Sequence, residues 1–115
     1  ALSTDKDRYV RLFVARNTST SVEILENLST DESLIIKQAV AFKPSTSAEV
    51  LTKFSTDVDG SIRECVAWNT STPVNILEKL SADEDELIRI VVAANTSWLN
   101  HTLRSIKEPN VAKSV

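Results

Sequence analysis

The sequence predicts an all-α solenoid of about four two-helix repeats, each 26 residues long. Three observations carry this. Leu2-Ser3-Thr4-Asp5 returns as Leu28-Ser29-Thr30-Asp31, Phe54-Ser55-Thr56-Asp57 and Leu80-Ser81-Ala82-Asp83, with no insertion between copies. A fixed period in the range of roughly 20–50 residues marks stacked supersecondary units. Within each unit the apolar residues recur at helical spacing. Finally, 1 Gly and 3 Pro in 115 residues suit helices joined by Ser/Thr/Asn turns rather than hairpins. The reading is one domain over 1–115, with repeats at 2–27, 28–53, 54–79 and 80–105 and a partial fifth at 106–115.

The first helix of each repeat follows the shared Asp. In the first copy Val10, Phe13, Val14 and Asn17 fall at i, i+3, i+4 and i+7, one helical face. The matching positions hold Ile36, Ala39 and Val40, then Ile62, Cys65 and Val66, then Ile88, Val91 and Val92. Asp5, Asp31, Asp57 and Asp83 stand where an N-cap is expected, since a short acceptor satisfies the free N–H groups there. Asn17, Asn69 and Asn95 stand at the other end, where Asn tolerates the left-handed conformation that closes a helix. Lys43 breaks that series, and Pro44 after it stops the helix.

The second helix is short, about two turns at 3.6 residues per turn. Thr20 with Glu23 and Thr46 with Glu49 have capping-box spacing, and Pro73 suits a first helical position. Its expected core residues are Val22, Leu25 and Leu28, then Ala48, Leu51 and Phe54, then Val74, Leu77 and Leu80. The fourth copy departs, with Trp98, Leu99 and Asn100 at its start, while Leu103 and Ile106 keep the core spacing. Past Ile106, Val111 and Val115 look like Val10 and Val14 after a three-residue deletion.

The phrase Val-Arg-x-x-Val-Ala-x-Asn, carried by Arg11, Val14, Ala15 and Asn17, resembles the leucine-rich repeat variant family. The third copy carries it best, in Arg63, Val66, Ala67, Asn69, Thr72 and Pro73. HEAT-like repeats share an Asp and an Arg six residues apart, as in Asp5/Arg11, Asp57/Arg63 and Asp83/Arg89. Both resemblances imply a right-handed α/α superhelix. Some members of the variant family carry an iron–sulfur cluster on a Cys-rich segment. This chain has 1 Cys, so that property is not carried over and no cofactor is expected.

Arg11, Lys37, Arg63 and Arg89 form a basic ladder, each with an Asp counterpart at fixed offset: Asp5, Asp31, Asp57 and Asp83. A row of cations could serve phosphates or an acidic partner. Its regularity favours an internal ladder that ties the stack together. Ala15, Ala41, Ala67 and Ala93 are small where a neighbouring helix must approach to roughly 8–10 Å. The variable positions form a third strip: Tyr9, Leu12 and Arg16, then Ile35, Gln38 and Phe42, then Ser61, Glu64 and Trp68, then Leu87, Ile90 and Ala94. Repeat proteins separate recognition from scaffold in this way. Tyr9, Leu12, Arg16, Ile35, Phe42, Trp68, Leu87 and Ile90 are therefore the candidate partner surface. The competing reading packs them against an adjacent superhelical layer or a flanking domain.

Other signals are weak. His101 has no second ligand nearby in sequence, and no catalytic or metal site is expected. Asn17-Thr18-Ser19, Asn69-Thr70-Ser71 and Asn95-Thr96-Ser97 match glycosylation acceptors but coincide with the polar turns. Asp83-Glu84-Asp85-Glu86 suits a helix N-terminus. No Ser/His/Asp, Cys/His or Gly-rich phosphate motif points to an enzyme. The net charge of −3 argues against nucleic acid, which favours a basic surplus. The longest apolar run, Ile90 to Ala94, is too short to span a membrane, and no signal-peptide pattern heads the chain. A single cysteine fits the reducing cytoplasm. Ala1 in place of Met fits an excised piece of a longer protein. The expected function is a non-enzymatic protein-interaction or scaffolding module. The alternatives are a HEAT-like nucleic-acid binder using the cation ladder and a passive segment of a longer repeat protein. The sequence names no oligomeric state.

Overall fold

Eight helices and no strand occupy the described residues: α1 (Asp5–Arg16), α2 (Val22–Leu28), α3 (Leu34–Phe42), α4 (Ala48–Phe54), α5 (Gly60–Trp68), α6 (Val74–Leu80), α7 (Glu86–Ala94) and α8 (Thr96–Ile106). The computed structural model describes residues 5–106, with side chains from Asp7 onward. The Asp5 side chain lies outside the described residues, as do residues 107–115 of the expected partial fifth repeat, Val111 and Val115 included.

The helix boundaries keep the 26-residue step, with α3, α5 and α7 starting at 34, 60 and 86 and α2, α4 and α6 at 22, 48 and 74. The longer helices α1, α3, α5 and α7 pack in succession, each on the next. Each short helix among α2, α4 and α6 leans on the longer helix before it and the one after it. α8 packs on α6 and α7. The molecule measures 63 × 29 × 18 Å.

One continuous core runs between the long and short helices. From the long helices come Ile36, Val40 and Ala41, Ile62, Val66 and Ala67, and Ile88, Val91 and Val92. From the short ones come Leu25, Val50, Leu51, Phe54, Ile76, Leu77 and Leu80. Each fully buried Leu or Ile contributes about 1.5–3 kcal/mol of transfer free energy.

The position before the expected core Leu also turns inward: Val50 and Ile76 are buried. The expected first members, Val22, Ala48 and Val74, are not fully buried, because each opens its short helix at the surface. In α1 the expected stripe fails. Val10 is 52% exposed and Phe13 70%, whereas Ile36, at the register of Val10, is fully buried. Asn69 and Asn95, on that same side of their helices, reach back to the preceding long helix, and none precedes α1 among the described residues. The mirror case is the small-residue flank. Ala15, Ala41 and Ala67 are fully buried, but Ala93 is exposed, since no described long helix follows α7. Leu103 and Ile106 are exposed for the same reason.

Asp31, Asp57 and Asp83 do not cap the helices that follow them. Helix starts fall three residues later, and the caps are Ser33, Asp59 and Asp85. Asp31, Asp57 and Asp83 instead shape the turn before each helix. Their Oδ1 atoms accept the N–H of Ser33, Asp59 and Asp85 at 2.9 Å. This is an Asx-turn. In the short helices the caps are Ser21 and Ser47, each accepting the N–H three residues on, not Thr20 and Thr46. Thr46 and Thr72 are buried, and their hydroxyls donate to Val40 O and Val66 O at 2.6 and 2.7 Å. Pro73 takes the cap position of α6, one residue earlier than expected.

Asn69 and Asn95 end their helices in extended conformation, φ −69° and −73°, and no described residue has positive φ. Their value lies in the side chain. Asn69 Nδ2 donates to Ala41 O and Lys43 O, both at 2.9 Å, and Asn95 Nδ2 donates to Ala67 O at 2.8 Å and Asn69 O at 3.2 Å. Each amide therefore bridges to the end of the preceding long helix. Its Oδ1 meanwhile accepts from Ser71 or Ser97 N–H. No buried side-chain polar atom among the described residues is left without a partner.

Candidate interaction groove

The basic ladder is engaged within the fold. Arg11 forks onto Asp31, Nε to Oδ2 at 2.6 Å and Nη2 to Oδ1 at 3.3 Å. Arg63 forks onto Asp83 in the same way, at 2.9 and 3.3 Å. In each pair a long helix grips the turn that opens the next one. Arg63 Nη1 also donates to Asp57 O at 2.7 Å, and Arg89 Nη1 to Asp83 O at 2.6 Å. Lys37 lacks the planar fork and makes no ion pair among the described residues. Its charge acts from a distance on Asp31 and Asp59.

Burial opposes the charge on Asp31, but the Arg11 hydrogen bond and the Ser33 N–H outweigh it and hold the carboxyl below its ordinary value. Asp83 is lowered likewise, against burial, by Arg63 and the Asp85 N–H. The Asp83 hydrogen bond raises Arg63 in turn. Asp59 is lowered by the hydroxyl and N–H of Ser61.

The variable strip faces outward. Phe42 is 57% exposed and Trp68 45%, and Tyr9, Ile35, Leu87 and Ile90 are exposed as well. Packing of α1, α3 and α5 side by side gathers part of this strip into one open groove of about 660 Å³. Leu12, Ala15, Ala39 and Cys65 form its apolar base, and Ile35, Phe42 and Trp68 project beside them. Arg16, which ends α1 as Phe42 ends α3 and Trp68 ends α5, and Lys43, just past α3, are its lining cations, with Pro44 and Thr70. No carboxylate lines the groove. Gln38 donates to Ser61 Oγ at 2.9 Å and is already committed.

The candidate residues thus divide. Leu12, Arg16, Ile35, Phe42 and Trp68 meet in the groove. Tyr9 shares an adjoining hollow of about 370 Å³ with Leu12, Phe13, Arg16 and Asn17, and the Arg8 guanidinium lies 5.6 Å from its ring centre. Leu87 and Ile90 are exposed on α7 but do not line the groove. Lys43 and Cys65 are among the lining residues that sequence reasoning did not place here. Lys43 carried a signal, since it replaces an Asn that every other copy keeps at that position. Cys65 is half-buried rather than enclosed, because the long helices expose this flank to the groove. Burial, and secondarily Glu64, push its thiol up to about 11.

Among the described residues no group of three His, Cys, Asp or Glu side chains could hold a metal, and no helix is long and apolar enough to cross a membrane. His101 stands exposed on α8 beside Trp98, with ring centres 5.7 Å apart. The chain matches no protein-family model, no curated protein and no solved structure.

Proposed function

We propose that this chain is a non-enzymatic protein-interaction or scaffolding module. Its units would be 26-residue helix pairs stacked as a right-handed superhelix of the leucine-rich repeat variant kind. The observation that carries the reading is the groove between α1, α3 and α5. It gathers Leu12, Arg16, Ile35, Phe42 and Trp68 from the positions that change from repeat to repeat, while most constant residues are used in packing and cross-links. Exposed aromatic and aliphatic residues around a concavity are what protein partners anchor to. The nucleic-acid reading needs free cations, and Arg11 and Arg63 are forked to Asp31 and Asp83. The proposed compartment remains the reducing cytoplasm, on the strength of the single cysteine.

A photoreactive benzoylphenylalanine at position 35, in the groove, tests this against the same residue at position 49, an exposed site on α4 away from it. Discrete protein adducts at 35 and none at 49 are expected in a cell extract. Equal labelling at both sites, or adducts with nucleic acid only, would contradict the proposal.

A further inference from the structure

The geometry points to an acidic apolar protein segment as the occupant of the α1–α3–α5 groove, an inference that rests on the interaction-module reading. Arg16 and Lys43 are both charged, and neither makes an ion pair among the described residues. They line the helix-end part of a groove that contains no carboxylate, next to Phe42 and Trp68, in a chain whose net charge is −3. An acidic ligand meets two cations and no lining carboxylate here. A basic segment would find no counter-charge in the groove. Opposite charge at a rim sets partner choice and encounter rate more than raw affinity, which is the effect two surface cations can exert.

The apolar side of the occupant follows from Ile35, Phe42 and Trp68, which stand beside an apolar base. From Trp68 on α5 to Arg16 on α1 the groove crosses two helix-to-helix steps of roughly 8–10 Å each. An extended chain rising about 3.3 Å per residue covers that span in about six residues. The segment is therefore short. Its apolar side chains lie toward Phe42 and Trp68, and its Asp or Glu residues lie toward Arg16 and Lys43. A single-stranded nucleic acid could also combine base stacking with cations. Two cations are few for such a ligand, whose affinity rests on several phosphate contacts.

The test pans a library of short random peptides against the whole chain and measures synthetic copies of the winners by fluorescence anisotropy. Recovered peptides are expected to pair apolar residues with Asp or Glu. Their affinity should fall roughly tenfold or more in Trp68→Ala and in the double variant Arg16→Glu/Lys43→Glu. Lys-for-Asp/Glu copies should prefer the double variant over the parent chain. Should that variant fail to fold, a salt titration of the parent serves: acidic winners must weaken with salt while their amidated analogues do not. Winners that depend on Trp68 but show no acidic preference would overturn this inference and leave the interaction module standing. No winners, or winners indifferent to Trp68, would overturn both. An oligouridylate probe that binds through Trp68 and Arg16 where no peptide does would likewise overturn both.

Discussion

Arg63 ties its long helix to the turn that opens the next one with two nitrogens on the Asp83 carboxylate, and holds its own opening turn with a third on the Asp57 carbonyl. Removing it strands Asp83 beside a partly buried turn. Arg63→Ala should therefore cost about 1–3 kcal/mol in urea unfolding. Arg63→Lys should recover only part of this, since a lysine cannot span both carboxylate oxygens. Asp31 and Asp83 have folded values below their unfolded ones. The stability they contribute is thus fully present above about pH 4, the ordinary Asp range, and is lost as pH falls through their lower folded values. A melting series at decreasing pH should show this loss, and the Arg63→Ala variant should show less of it. The sequence displayed the Arg and the Asp at a constant offset of six. It left open whether each side chain bonds the Asp of its own repeat or of a neighbouring one; Arg63 bonds the Asp twenty residues on, a pairing that exists only once helices pack.

At the scale of the element, position in the row of helices outweighs amphipathic pattern. Ile62 and Val10 share a register, yet Ile62 is fully buried and Val10 is 52% exposed. Ile62→Ala should cost about 2–5 kcal/mol, while Val10→Ala should stay within about 0.5 kcal/mol, as surface changes do. Paired denaturation curves check both. Cys65, half-buried at the base of the groove, shows the opposite effect of position, since burial dominates its titration. Its thiol is raised to about 11, so little thiolate exists near neutral pH. Labelling of the native protein should be slow at pH 8 and accelerate as pH climbs toward 11, with fast labelling at pH 8 only after unfolding. Period and spacing were enough to place the long helices and the buried Leu25, Leu51 and Leu77. They could not show which end residues lack a neighbour. Nor could they tell an Asp that caps a helix from one that turns the chain before it, since both roles use the same short acceptor.

For the whole molecule, the claim is a division of labour. The constant residues Ala41, Ala67, Asn69, Asn95, Arg11 and Arg63 build contacts between successive units, and the variable Ile35, Phe42 and Trp68 face a common groove. Variability along one face was visible in the sequence. The groove's extent was not, because Lys43 and Cys65 join it only through the spacing of α1, α3 and α5. The most direct test compares Trp68→Ala with Arg63→Ala, following both melting temperature and binding of the peptides recovered by panning. The account predicts that Trp68→Ala loses about 2 kcal/mol or more of binding with its melting temperature lowered less than that of Arg63→Ala, and that Arg63→Ala melts lower yet binds normally while folded. A Trp68→Ala protein that melts as low as Arg63→Ala, or that binds as well as the parent, would contradict it.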